Sequence, residues 1–210
     1  MCVLHVVILP VVLSVGLYGR NATAWARVSP QTTRVFLVTG DFFHPILGFT
    51  TVLVNFAVVN LVAFVVADEK RHNRSRLLRV ADVDGGRAVA SFLLFGVATA
   101  FALSVLAFAG PSCLGASLGV PLVTWANGVI SVAVWSSATV PVALTVAYLL
   151  PRALVLLLLQ AVAGVASAAL IFTGESLAPQ SGGALFAVTL HTLCLAVLAP
   201  VWRRTSWRLW

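Results

Sequence analysis

Six runs of nearly unbroken apolar sequence, separated by short polar breaks, constrain this 210-residue chain more than any other feature. A bilayer core takes about 20 apolar residues per helix. Inside hydrocarbon every backbone N–H and C=O must be paired within the protein, which leaves helices and closed barrels as the only spanning forms. Runs of this length select helices. The expected fold class is therefore all-α, a polytopic membrane protein built as a six-transmembrane-helix bundle. The expected spans cover residues 2–18, 42–67, 88–109, 120–148, 153–172 and 184–201, and residues 1–210 form a single membrane domain. Charged residues make up 9% of the chain, against roughly a quarter in soluble domains, so no separate soluble domain is expected.

Orientation follows from the arginines. The break between the second and third runs carries Lys70, Arg71, Arg74, Arg76, Arg79 and Arg87, and such a cluster beside membrane ends stays on the cytoplasmic or equivalent side. Counting crossings from there places Arg152, Arg203, Arg204 and Arg208 on the same side. Both termini are thus expected on the inner side, cytoplasmic or matrix. Arg20, Arg27 and Arg34 fall on the outer side. The net charge of +7 then reads as a topology signal, and no nucleic-acid partner is expected. The expected partner of Lys70, Arg71, Arg74, Arg76 and Arg79 is the bilayer itself, with anionic headgroups on the inner side and about 1 kcal/mol per nearby cation. Trp202, Trp207 and Trp210 beside Arg203, Arg204 and Arg208 form an interfacial anchor. These charges specify sides and not addresses, so plasma membrane, viral envelope and mitochondrial inner membrane all fit a multi-pass integral protein.

Two runs carry ambiguities. Ala24-Trp25-Ala26 after the first run has the small-x-small form of a signal cleavage site, but no basic residue precedes the run, which favours a retained helix. The fourth run contains Pro141 after Ser136-Ser137-Ala138-Thr139, the place where a kink is expected because proline removes a helical hydrogen bond.

Charge inside a span is costly and marks ion or proton pathways. No Asp, Glu, Lys or Arg lies in the middle of a run, which disfavours a pump, a charged-ring channel or a proton-coupled carrier. The remaining polar groups are Asn55, Asn60, Asn127, Gln160 and His191. They are expected to bridge helices by hydrogen bonds of about 0.6–2 kcal/mol each, with His191 and Asn127 both in the outer third. The spacings Gly115-x-x-x-Gly119 and Gly164-x-x-x-Ala168 are expected to mark close helix contacts. Cys2, Cys113 and Cys194 have no spacing that suits zinc, so no metal site is expected. No cofactor is expected either, and a haem held by His44 and His191 is disfavoured because His44 sits at the edge of a span.

One set of residues points to chemistry. The second run opens on Thr39-Gly40-Asp41-Phe42-Phe43-His44 and continues to Asn55; Gly115-Ala116-Ser117 precedes the fourth run, and the sixth contains His191. This order resembles the rhomboid intramembrane serine proteases, six-helix proteins with a Gly-x-Ser motif at the start of the fourth helix and a histidine in the sixth. The resemblance implies Ser117 as nucleophile, His191 as its general base, and His44 with Asn55 as oxyanion support. A serine needs such a base, and the developing oxyanion needs such donors. Leu118 stands where the family usually carries glycine, and Thr192-Leu193-Cys194-Leu195 replace the glycines that follow its histidine. An inactive relative would carry the same residues.

The expected function is a non-catalytic integral membrane subunit, a structural, assembly or accessory component packed against other integral membrane proteins. A rhomboid-like Ser/His protease is the alternative. A carrier of a small neutral solute, with a cavity reaching Asn127 and Gln160, is the second.

Overall fold

The computed structural model describes residues 2–72, 85–149, 161, 164 and 181–205. Among the described residues every element is helical: α1 Cys2–Ala26, α2 Gln31–Val38, a π-helical turn Thr39–Phe43, α3 His44–His72, α4 Gly85–Ser117, α5 Leu122–Leu149 and α6 Ser181–Thr205. Four stretches are long and apolar enough to cross a membrane: Leu4–Ala26, Gln31–Glu69, Gly85–Ser117 and Leu122–Tyr148. Ala187–Val201 is a shorter apolar stretch. The architecture is that of a multi-pass helical membrane protein. The expected fifth span lies outside the described residues except for Ala161 and Gly164, as do Arg74, Arg76, Arg79, Arg152, Gln160, Trp207, Arg208 and Trp210.

The helices outrun their apolar stretches. α1 continues past Tyr18 to Ala26, and the second rod begins at Gln31, before the apolar run at Phe42. A helix satisfies its own backbone whatever its side chains are, and Arg20 stands exposed where it can reach water, so polar residues extend the rod beyond hydrocarbon. The loop expected there shrinks to residues 27–30, closed by Arg27 N–H to Ala24 O and Val28 N–H to Trp25 O, both 3.2 Å. At 33 residues, α4 is about 50 Å long and exceeds a hydrocarbon core of about 30 Å.

Between lipid and protein there is no hydrophobic drive for helices to associate, so contact depends on close packing at small residues. Four glycines provide it. A Cβ at Gly96 would collide with Val140, one at Gly110 with Val11, and one at Gly115 with the Trp125 ring; at Gly128 it would lie 3.0 Å from Phe43 Cζ. α4 and α5 thereby form an antiparallel hairpin, α1 lies against α4, and the start of α3 lies against the start of α5. α5 is central, with 61% of its apolar window buried, whereas α1 buries only 17% and lies at the edge. Its outward face carries Leu4, Ile8, Val12 and Val15, one stripe at helical spacing.

Trp125 ties the start of the bundle together. Its ring meets Phe42 at 6.3 Å, Phe43 at 5.0 Å and Phe108 at 5.9 Å between centroids, all edge-on, and Trp25 of α1 meets Phe42 at 5.8 Å. Edge-to-face pairs of this kind add about 0.5–1.5 kcal/mol each beyond burial. The π turn makes the cluster compatible with the rod. Its wider turn lets the consecutive Phe42 and Phe43 both point inward, with Val38, Ile46 and Leu47 buried on the same side.

The expected small-residue pair at 115 and 119 divides into two roles. Gly115 packs, while Gly119 has φ +87° and ends α4, with Val120 N–H bonded to Gly115 O and Gly119 N–H to Ala116 O, both 3.0 Å. This is a Schellman cap, which needs a left-handed residue that glycine supplies without strain. At Gly164 a Cβ would meet nothing within 4 Å among the described residues, and Ala168 lies outside them.

Gly115→Val is expected to cost about 1–3 kcal/mol by overpacking against Trp125. Gly16→Ala, at a position with nothing within 4 Å, should be neutral or stabilise by about 0.5–1 kcal/mol. Thermal unfolding of the two variants in detergent compares them directly.

Candidate functional site

A layer of polar side chains crosses the middle of the apolar bundle. Thr50, Thr51 and Asn55 of α3, Ser104 of α4, and Ser131, Ser136, Ser137 and Thr139 of α5 are all buried. They fall within about 14 Å of depth. Phe43 packs on Gly128, and α3 and α5 run away from that contact in the same direction, so residues 50–55 lie level with about 135–140 at 1.5 Å per residue. The contacts Gly115–Trp125 and Gly96–Val140 bracket Ser104 at nearly the same depth.

An uncompensated hydroxyl in hydrocarbon costs free energy, and the cheapest partner is the carbonyl one turn back on the same helix. Thr51 Oγ1 donates to Leu47 O at 2.8 Å, Ser104 Oγ to Ala100 O at 2.7 Å, Ser137 Oγ to Val134 O at 2.7 Å and Thr139 Oγ1 to Ser136 O at 2.7 Å. Asn60 Nδ2 donates to Phe56 O at 2.6 Å, and His191 Nδ1 contacts Ala187 O at 2.7 Å. These bonds hold each side chain against its own helix; the sequence leads one to expect bonds between helices.

One contact that joins two helices is at Pro141. Its carbonyl accepts from Thr145 Oγ1 at 2.8 Å and from Cys194 Sγ of α6 at 3.6 Å, and Cys194 Sγ also lies 3.6 Å from Thr145 Oγ1. α5 is one continuous helix through Pro141. Cys194 and Thr145 were not apparent as partners from sequence. The available signal was a threonine four residues after a proline, placed to donate to the proline carbonyl.

Three polar atoms in or beside this layer are buried without a hydrogen-bond partner among the described residues: Thr50 Oγ1, Ser136 Oγ and His191 Nε2. Such groups can be satisfied by a water or a small neutral polar molecule. No group of three or more His, Cys, Asp or Glu is placed to hold a metal ion among the described residues.

The four residues of the protease-like set are spread along the bundle. Ser117 lies exposed at the end of α4, where its Oγ donates to Leu114 O at 2.7 Å. Gly115 fixes that end at the level of Trp125, while Cys194 fixes its part of α6 at Pro141 and Thr145. His191 is three residues from Cys194, so it and Ser117 are separated by about 20 Å along the bundle. The structure does not bring them together. His44 is exposed at the first residue of α3, its ring 5.7 Å from that of Phe43. Asn55 is fully buried about 16 Å further along the same helix. His44 and His191 are likewise about 15 Å apart in depth or more, beyond the span of one haem iron. Asn127 is exposed two residues after Trp125 and does not share a level with His191. Lys70, Arg71 and Trp202 to Arg204 fall on the last turns of α3 and α6.

The chain matches no protein-family description, and no curated protein and no solved structure is similar to it.

The site geometry predicts unequal thiols. Cys113 is exposed and Cys194 buried. On a Cys2→Ser background in mild detergent, a maleimide should label Cys113 quickly and Cys194 only after denaturation. Equal rates would contradict the packing of α6 on α5.

Proposed function

We propose that the protein is a non-catalytic integral membrane subunit that crosses the bilayer six times, with both termini on the inner side, and serves as an accessory or assembly component of a larger membrane complex. The observation that carries this reading is the fate of its polar side chains. Thr51, Ser104, Ser117, Ser137 and Thr139 each spend the hydroxyl proton on a local carbonyl, and Ser117 stands about 20 Å from His191, too far for a base to act even through one water. The edge position of α1 supports lateral association, since its outward stripe of Leu4, Ile8, Val12 and Val15 suits packing against another membrane helix as well as against acyl chains. The cationic residues from Lys70 to Arg79 and the Trp/Arg segment at 202–210 support the orientation and hold the bundle at the inner headgroup layer.

Purification of the full chain from its native membrane in mild detergent tests the proposal: a stoichiometric integral membrane partner should co-purify. A monodisperse monomer with none contradicts it. In the same preparation a serine-reactive fluorophosphonate should leave wild type and Ser117→Ala equally unlabelled. Labelling of wild type alone would favour an enzyme.

A further inference from the structure

Where the 26–31 and 117–122 turns meet, an open pocket of about 230 Å³ lies between α2 and the end of α4, lined by Gln31, Arg34 and Val35 on one wall and residues 116–119 on the other. Arg34 is the charged residue of that lining, and no carboxylate shares it. The nearest acidic group on the same rod is Asp41, exposed seven residues further on. The Arg34 Nε atom is buried and has no hydrogen-bond partner among the described residues. An arginine beside a helix C-terminus would ordinarily take the last carbonyls. Here those of Leu114, Gly115 and Ala116 are already used, by Leu118 N–H and Ser117 Oγ, by Leu118 and Val120 N–H, and by Gly119 N–H respectively. A guanidinium at a pocket wall with its Nε desolvated and unpaired is matched to an oxyanion, to which it can present a fork of donors.

The surroundings identify the kind of oxyanion. Phe36, two residues past Arg34, is 78% exposed, and Leu122 and Val123, at the start of α5, are 75% and 64% exposed. The pocket lies at the end of the membrane-spanning rods, within four residues of the exposed Leu122 and Val123, where a lipid places its phosphate beside its acyl chains.

We infer that this pocket binds the phosphate of a phospholipid headgroup. Arg34 supplies the charge and its guanidinium N–H donors, Gln31 supplies the flanking amide, and Ser117 lines the opposite wall. The acyl chains run along Leu122 and Val123. This places a lipid site at the end of the bundle opposite Lys70 and Arg71, with Ser117 on its wall.

The test uses the delipidated full chain in maltoside detergent and native mass spectrometry, titrated with phosphatidylglycerol and, separately, with diacylglycerol, which lacks the phosphate. Phosphatidylglycerol is expected to bind wild type about tenfold or more tightly than Arg34→Gln, as loss of a charge-assisted hydrogen bond implies. Arg34→Lys should be intermediate, and Arg20→Gln, on the exposed edge of α1, should match wild type. Diacylglycerol should not distinguish the variants. Ser117→Leu, which fills the pocket from the opposite wall, should reproduce the loss and serves if Arg34→Gln does not fold. Displacement of the lipid by millimolar inorganic phosphate would show that the phosphate alone is read; Arg34-dependent binding without displacement would show that headgroup and chains are read together. Both support the assignment. Equal affinity of wild type, Arg34→Gln and Ser117→Leu for phosphatidylglycerol, with all three folded, would overturn it.

Discussion

Hydrocarbon offers no hydrogen bonds, and that one property of the solvent explains most of what this chain does. It forces the long apolar runs into helices, and it removes the hydrophobic drive that would push those helices together in water. Association then rests on surface fit. Gly96, Gly110, Gly115 and Gly128 each leave room for a side chain of a neighbouring element, and Trp125 fills the largest of these contacts while gathering Phe42, Phe43 and Phe108 around it. The contacts at Gly115 and Gly128 lie at the end of the bundle where the 27–30 and 117–122 turns occur. The short turns and the aromatic cluster therefore reinforce one another, because the Schellman cap at Gly119 returns the chain within a few residues and delivers Trp125 beneath α4.

The same solvent governs the polar layer. Thr51, Ser104, Ser137 and Thr139 are tolerated at mid-bundle because each donates to a carbonyl on its own helix, so their presence need not signal chemistry. The inter-helix polar contact at Pro141 has a different origin. Its carbonyl takes the threonine hydroxyl at 145 and the thiol of Cys194, and α6 is fixed in depth against α5 at that point. That anchor also sets His191 at a level far from Ser117, and through it the packing of one helix pair bears on whether a dyad can exist.

Apolarity in the sequence was enough to place the helices but not their ends. The expected spans 2–18, 42–67, 88–109 and 120–148 are helical except at residues 120–121, and the polar continuations at Gly19–Ala26 and Gln31–Asp41 are helical too, because hydrogen bonding along a rod is indifferent to where the lipid stops. The first loop consequently proved far shorter than its polarity suggested. Gly115 and Gly119 look identical in a small-residue motif; only the backbone conformation separates a packing glycine from a cap. Depth was the weakest inference. Asn127 and His191 were expected on one level from span counting, yet the level of a residue on α6 depends on which turn of α5 it packs against, and the Cys194–Pro141 contact that decides this has no local signature. The Arg34 pocket was invisible for a related reason, since it is built from two turns that are distant in sequence.

The proposed topology puts the 117–122 turn on one face of the bilayer and the segment that follows Arg71 on the other. Its most direct test is cysteine labelling in sealed native vesicles. Ser117→Cys and Ser75→Cys would be placed one at a time in a chain free of other cysteines, then treated with a membrane-impermeant maleimide before and after permeabilisation. One position should react before permeabilisation and the other only after it. Reaction of both from the same face would contradict the account.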